Sequence, residues 1–354
     1  MALREVWMAR RSPFEIGGFH IPPGTRRTVD LPVSVLSDHT PVTMSAHVIH
    51  GAEEGPALFV SAAIHGDEVI GVEIARRLLR SRQFSRLKGT LIVVPIVNTF
   101  GFLNHSRYLP DRRDLNRSFP GSEGGSLASR LAHLFMTEVV ARCDLGIDLH
   151  SAAIHRTNMP QIRVSPKSPE TLAYADAFGA PVVIRSSLRD GSLRKEAQKA
   201  GVDILLYEAG EGLRFDEQSA RVGVAGILRV MHALGMIPDD GVPLAEAVPV
   251  KASDSSWERA PAGGLLRAYK TTGEMVEEGD VLGIVADPFG EEEMELTASQ
   301  PGLIIGRANM PIVNEGDALF HIAKVSAPEE AEGRIESLSA QLDGAAMFDE
   351  DEII

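Results

Sequence analysis

ALFVSAAIHGDEVIGVEIARRLL, residues 57–79, decides the fold class. The apolar run through Ile64 reads as a buried strand. Ile70, Ile74 and Leu78 then recur at i, i+4 and i+8, which is one face of a helix. A strand passing directly into a helix is the unit from which parallel sheets covered on both faces are built. His65, Asp67 and Glu68 stand at the junction. Ionisable groups at the lip of a buried strand are costly unless they are paired or bound to metal, while the helix dipole tolerates the two acids at its N-terminal end.

The same rhythm recurs downstream. GTLIVVPIVN (89–98), DLGIDLH (144–150), APVVIRS (180–186) and VDILLYE (202–208) read as strands. GSLASRLAHLFMTEVVARC, the stretches around 168–178 and 190–200, and SARVGVAGILRVMHALG (219–235) read as helices. The expected fold is therefore α/β: a mixed, mostly parallel sheet with helices on both faces over residues 46–245, preceded by an extended or β segment over 1–45. Beyond about residue 240 short strands and glycine turns take over. VEEGDVL (276–282) and VNEGDAL (313–319) share V-x-E-G-D-x-L at a spacing of 37 residues, which implies a small, pseudo-symmetric all-β domain over 258–324. That domain resembles the lipoyl/biotinyl-type barrel-sandwich fold. Carrier domains of that type need a lysine on the turn between their halves. None occurs between Lys270 and Lys324, and Glu295 stands where one would be expected, so a lid or an assembly surface is the expected role.

Composition narrows the function. With 354 residues, 44% hydrophobic and 24% charged, the chain matches ordinary globular proteins. It lacks a run of some 18 apolar residues that could span a membrane, and no secretory signal is expected at its N-terminus. Cys143 is the single cysteine, so a reducing cytoplasm is the expected home, and any metal must be held by histidine and carboxylate. The net charge of −14 is unevenly spread: residues 328–354 hold nine acids against Arg334. That end, residues 325–354, is expected to be a solvated, mobile tail. Neither nucleic acid nor membrane is expected as a partner; a homo-oligomer is allowed.

A partner for the opening cluster lies in DLGIDLH. His65 and Glu68 form H-x-x-E across a strand-to-helix turn, and His150 closes a later strand. In a parallel sheet the C-terminal strand ends gather along one edge, where ligands bind. Two imidazoles and a carboxylate with one position open form a catalytic zinc ligand set, and Asp148, on the same strand face, could orient a ligating imidazole. Glu208 ends VDILLYE at the same edge, where a carboxylate can take a proton from water and return it to a leaving amine. The loop NHSRYLPDRRDLNRSFPG (104–121) supplies Arg107, Asn116 and Arg117 as substrate contacts, with Arg163 of PQIRV as another, since arginine binds carboxylates bidentately and stabilises oxyanions. Arg112 and Arg113 read as solvated.

HGDE, DLNRSFPG, DLH and the strand-terminal glutamate of YEAG, in that order, resemble the succinylglutamate desuccinylase/aspartoacylase family of zinc carboxypeptidase-like hydrolases. The resemblance covers residues 45–240. It implies one zinc ion per subunit on His65, Glu68 and His150, Glu208 as general base and acid, and Asn116, Arg117 and Arg107 at the substrate, with Arg117 as a catalytic group near the polarised carbonyl or the substrate carboxylate. Of Arg189 and Arg194, it does not settle which serves the acyl pocket. The implied activity is hydrolysis of a small N-acyl amino acid or related amide. A carboxypeptidase acting on short peptides is the alternative enzyme, and a non-catalytic binding or assembly protein the alternative class.

Overall fold

The computed structural model describes residues 11–165, 168–245 and 248–325; most of the acidic tail lies outside them. The strands are β1 (Phe14–Ile16), β2 (Phe19–Ile21), β3 (Thr25–Val35), β4 (Pro41–His50), β5 (Glu53–Ala62), β6 (Lys88–Val94), β7 (Leu145–His150), β8 (Arg156–Val164), β9 (Val182–Arg185) and β10 (Asp203–Gly210). They are followed by β11 (Val250–Arg259), β12 (Gly264–Ala268), β13 (Met275–Val276), β14 (Val281–Ala286), β15 (Glu293–Thr297), β16 (Gly302–Ala308), β17 (Ile312–Val313) and β18 (Ala318–Val325). The α-helices are α1 (Ile70–Leu79), α2 (Thr99–Leu103), α3 (Leu127–Glu138), α4 (Pro169–Phe178), α5 (Leu193–Lys199) and α6 (Glu217–Ala233).

A 12-stranded sheet in the order β13-β16-β18-β11-β9-β8-β10-β7-β5-β6-β4-β3 organises the molecule. The sheet is mixed, as expected, but across all twelve strands antiparallel pairs at both ends keep parallel pairing from predominating. Parallel pairing holds for β6-β5-β7-β10 and for β8-β9-β11, whereas β10 meets β8, and β4 meets both β3 and β6, in antiparallel fashion. The reason lies in loop length. Only residues 151–155 separate β7 from β8, too few for the crossover of a dozen or more residues that parallel strands require, so the chain turns back.

Helices cover both faces. On one, Ile70, Ile74 and Leu78 of α1 pack with Phe178 of α4 and Ile227 of α6. On the other, Leu131 and Phe135 of α3 pack with Leu193 and Ala197 of α5. Helix α1 lies especially close to the strands: a Cβ on Gly71 would come within 2.8 Å of the Cβ atoms of Ala62 and Leu149.

The repeat-containing region is a sandwich continuous with this sheet. A four-stranded sheet, β15-β14-β12-β17, faces the β13-β16-β18-β11 end, and Leu266, Leu282, Val285, Leu296, Phe320 and Ile322 fill the space between. The two copies of V-x-E-G-D-x-L form equivalent turns. The Glu277 amide donates to Asp280 (3.0 Å) and the Asn314 amide to Asp317 (2.8 Å). Strand β11 joins the module to β9 in parallel, and β16 also pairs with β8. Among the described residues no helix is long and apolar enough to cross a membrane.

Candidate metal centre and active site

Strand β5 ends at Ala62, and the chain bends at Ala63 (φ 51°) before entering α1. His65 and Glu68 sit on this bend, tied by the Glu68 amide donating to the His65 carbonyl (3.1 Å). His150 is the last residue of β7, which lies beside β5. Sheet topology thus places on one rim two histidines that are 85 residues apart in the chain. One ligand atom from each of His65, Glu68 and His150 falls within 4.8 Å of the others, and all three side chains are buried. Glu68 bridges the rings: its Oε1 is 2.7 Å from His65 Nδ1 and its Oε2 is 2.6 Å from His150 Nδ1.

Each imidazole is also held on its far side. Asp148 Oδ2 lies 2.7 Å from His150 Nε2, and the Ser61 hydroxyl donates to Asp148 Oδ1 (2.8 Å). Asp114 Oδ1 lies 3.1 Å from His65 Nε2. A carboxylate behind each ligating histidine is the support that metal sites use to fix ring orientation. The donor set fits a divalent cation. Three carboxylates converge on two buried imidazoles, where negative charge demands compensation.

Electrostatics carry the same message. Burial opposes the charged form of His65, but the Glu68 charge and the bond to Asp114 override it and raise the pKa. His150 is likewise disfavoured by burial, yet Asp148 and Glu68 raise its pKa well above normal. Glu68 itself is held far below the carboxylate range, because His65 and His150 outweigh its burial. Burial raises the pKa of Asp67, helped by neighbouring Glu68.

The arginine loop reaches this cluster unevenly. Arg107 donates to Glu68 Oε1 (3.3 Å) and to Asp114 Oδ2 (3.1 Å). Asn116 accepts from the Leu193 amide (2.9 Å) and so caps the start of α5. Arg117 is exposed, and its guanidinium folds back on the Asn116 carbonyl (2.5 Å). Arg112 and Arg113 are exposed, as expected.

Glu208 is paired in register with His150 across the β10–β7 ladder. Its Oε2 accepts from the Asn158 side chain (2.7 Å), and its Oε1 faces Arg163 at 3.6 Å. Arg194, one of the two arginines left open by the sequence, is placed here too. It donates to the Ser186 hydroxyl (3.0 Å), while its buried Nη1 has no hydrogen-bond partner among the described residues. Burial lowers its pKa to about 10, nearby Arg163 acts in the same direction, and Glu208 and Asp148 oppose.

Sequence reasoning missed Asp114 and Asn158. Asp114 carried a signal, since it is the acid that opens the DLNR motif. Asn158 carried none, because its role depends on β8 turning back beside β10.

Sheet, helices and rim together define the class: an α/β protein with a candidate metallohydrolase centre at the edge of a mixed sheet. Residues 54–234, about half of the chain, match the succinylglutamate desuccinylase/aspartoacylase catalytic domain. The chain belongs to the succinylglutamate desuccinylase/aspartoacylase family. It is 28% identical over 284 residues to the N-alpha-acetyl-L-2,4-diaminobutyric acid deacetylase of Halomonas elongata, which covers 77% of this chain and 83% of that protein. Its fold is shared with a succinylglutamate desuccinylase/aspartoacylase of Rhodobacter sphaeroides (TM-score 0.77, 24% identity, 85% of this chain and 96% of the other). It is shared also with the product-bound ectoine utilization protein EutE (DoeB) of Ruegeria pomeroyi (TM-score 0.76, 24% identity, 84% and 94%).

Proposed function

We propose that the protein is a zinc-dependent deacylase that hydrolyses the amide of a small N-acyl amino acid. The observation that carries this reading is the convergence of His65, Glu68 and His150 within 4.8 Å, with His150 in register beside Glu208 on the neighbouring strand. Family membership supports deacylation. The name of the Halomonas relative puts an N-acetylated diamino acid first among the substrates to try.

His65, Glu68 and His150 would hold the ion, with Asp148 and Asp114 fixing the two imidazoles. When bound, such an ion acts as a Lewis acid toward the substrate carbonyl and acidifies water. Glu208 takes the proton of the attacking water and hands it to the departing amine nitrogen. Arg194 and Arg163, whose charges act on each other beside Glu208, would bind the substrate carboxylate. Arg107, held by Glu68 and Asp114, meets charge that develops on the carbonyl oxygen. Asn116, which accepts from the Leu193 amide, and the exposed Arg117 would contact the substrate from the arginine loop.

The test is a panel assay on chelator-treated and zinc-reconstituted protein. Acetyl, succinyl and formyl derivatives of acidic, basic and neutral amino acids are offered, and amine release is followed. Hydrolysis of an acyl amino acid by the reconstituted form alone is expected. No hydrolysis across the panel, or release of C-terminal residues from short peptides instead, would overturn the assignment.

A further inference from the structure

The β module meets the active site through one strand. Strand β16 lies antiparallel to β8, with Gly306 opposite Asn158, and β8 in turn lies beside β10, with Gln161 opposite Glu208. The register slips between Glu208 and Gly210, an irregularity of the kind that re-aims side chains beside active sites. Both oxygens of Glu208 face side chains of β8: Asn158 donates to Oε2 at 2.7 Å, and Arg163 approaches Oε1 at 3.6 Å.

Each of these β8 side chains is backed by the module. Gln161 accepts from Arg163 Nε (3.3 Å) and donates to the Ile305 carbonyl of β16 (3.2 Å). Asn158, which is buried, rests on Gly306, where an added Cβ would come within 2.6 Å of its Oδ1. Only a residue without a side chain leaves room for the amide there.

We propose that Asn158, seated on Gly306 of the β module, is the positioning residue of the Glu208 carboxylate, so that the module sets the geometry of proton transfer. A neutral amide fixes the direction of Oε2 without neutralising the carboxylate, and Oε1 is left as the oxygen that exchanges the proton. This inference rests on the reading of Glu208 as general base.

The test compares Asn158→Ala, isosteric Asn158→Asp, Gly306→Ala, the Asn158→Ala/Gly306→Ala double variant and Glu208→Gln in the zinc-loaded full chain. The substrate is the best acyl amino acid of the panel. Each single variant at 158 or 306 should lower kcat roughly 10- to 100-fold, the scale of a misplaced catalytic group. KM should stay within about twofold, the sign that substrate binding is intact, and zinc content should not change. The double variant should be no worse than Asn158→Ala, because the added methyl then has no amide to displace. Wild-type kcat in Asn158→Asp, a loss carried by KM, or additive losses in the double variant would overturn the proposal. If Gly306→Ala does not fold, the isosteric Asn158→Asp decides alone. Full activity in Glu208→Gln would overturn the underlying reading as well. An inactive Glu208→Gln beside an unimpaired Asn158→Asp would overturn the positioning role alone.

Discussion

At the residue scale, the charge on two imidazoles governs the candidate metal centre. Burial opposes a charge on His65 and His150, but Glu68, Asp114 and Asp148 raise the pKa of both rings, so protons compete for the nitrogens a metal would use. A raised histidine contributes stability that is complete below its unfolded value of about 6.5 and is lost as pH rises through the folded value. Protons and metal therefore compete. Zinc affinity should climb with pH, and calorimetric titration near neutral pH in buffers of different ionisation heat should register proton release. Binding without proton release would contradict the assigned ligands. Asp148→Asn should weaken zinc binding about 10- to 100-fold, the usual cost of losing a carboxylate behind a ligating histidine, as measured by chelator competition. His65, Glu68, His150, Asp148 and Glu208 could all be singled out in the sequence, because each sits at a strand end whose partners are fixed by α/β topology. Asn158 could not be placed, since its partner Glu208 is 50 residues away, and Arg194 was not separable from Arg189 because both precede the same strand.

At the scale of elements, helix α1 sets the bend that carries His65 and Glu68. Gly71 lets that helix settle against Ala62 and Leu149. Gly71→Ala should push it outward, lowering stability by about 1–3 kcal/mol, the range for overpacking a tight contact, and loosening zinc as well. Thermal unfolding and chelator competition on one sample check both effects. The β11–β18 pair gives a second prediction. His321 stacks on Trp257 with ring centroids 4.5 Å apart and donates to or accepts from Ser255 at 2.9 Å. Burial, aided by Arg163, lowers its pKa to about 3. A histidine kept neutral in the fold gives stability that is present above its unfolded pKa of about 6.5 and is lost on acidification toward the folded value, at about 1 kcal/mol per pH unit. His321→Gln should flatten the fall in denaturant midpoint between about pH 6 and 4; an unchanged slope would count against it. The strand–helix units were legible because apolar periodicity marks them directly. Strand β8 was not, since MPQIRV carries Pro160 and a buried Gln161, and a five-residue return is invisible to a pattern built on crossovers.

At the scale of the whole molecule, the β module is a continuation of the active-site sheet. The V-x-E-G-D-x-L repeat revealed its internal symmetry. The pairing of β16 with β8 left no mark, because long-range register is set by the faces that two segments bury and not by either segment alone. Strand β8 alone thus separates the module's β16 from the Glu208 strand, and β10 in turn lies beside the β7 strand that ends in His150. Whether the cluster of His65, Glu68 and His150 holds an ion decides the proposed chemistry. Anomalous diffraction at the zinc edge, from crystals grown with one equivalent of zinc, tests it most directly. The account predicts a single strong peak about 2.0–2.2 Å from one nitrogen of each imidazole and one oxygen of Glu68, the bond lengths of zinc with nitrogen and oxygen ligands. A zinc peak elsewhere in the molecule, with none between these three side chains, would contradict it.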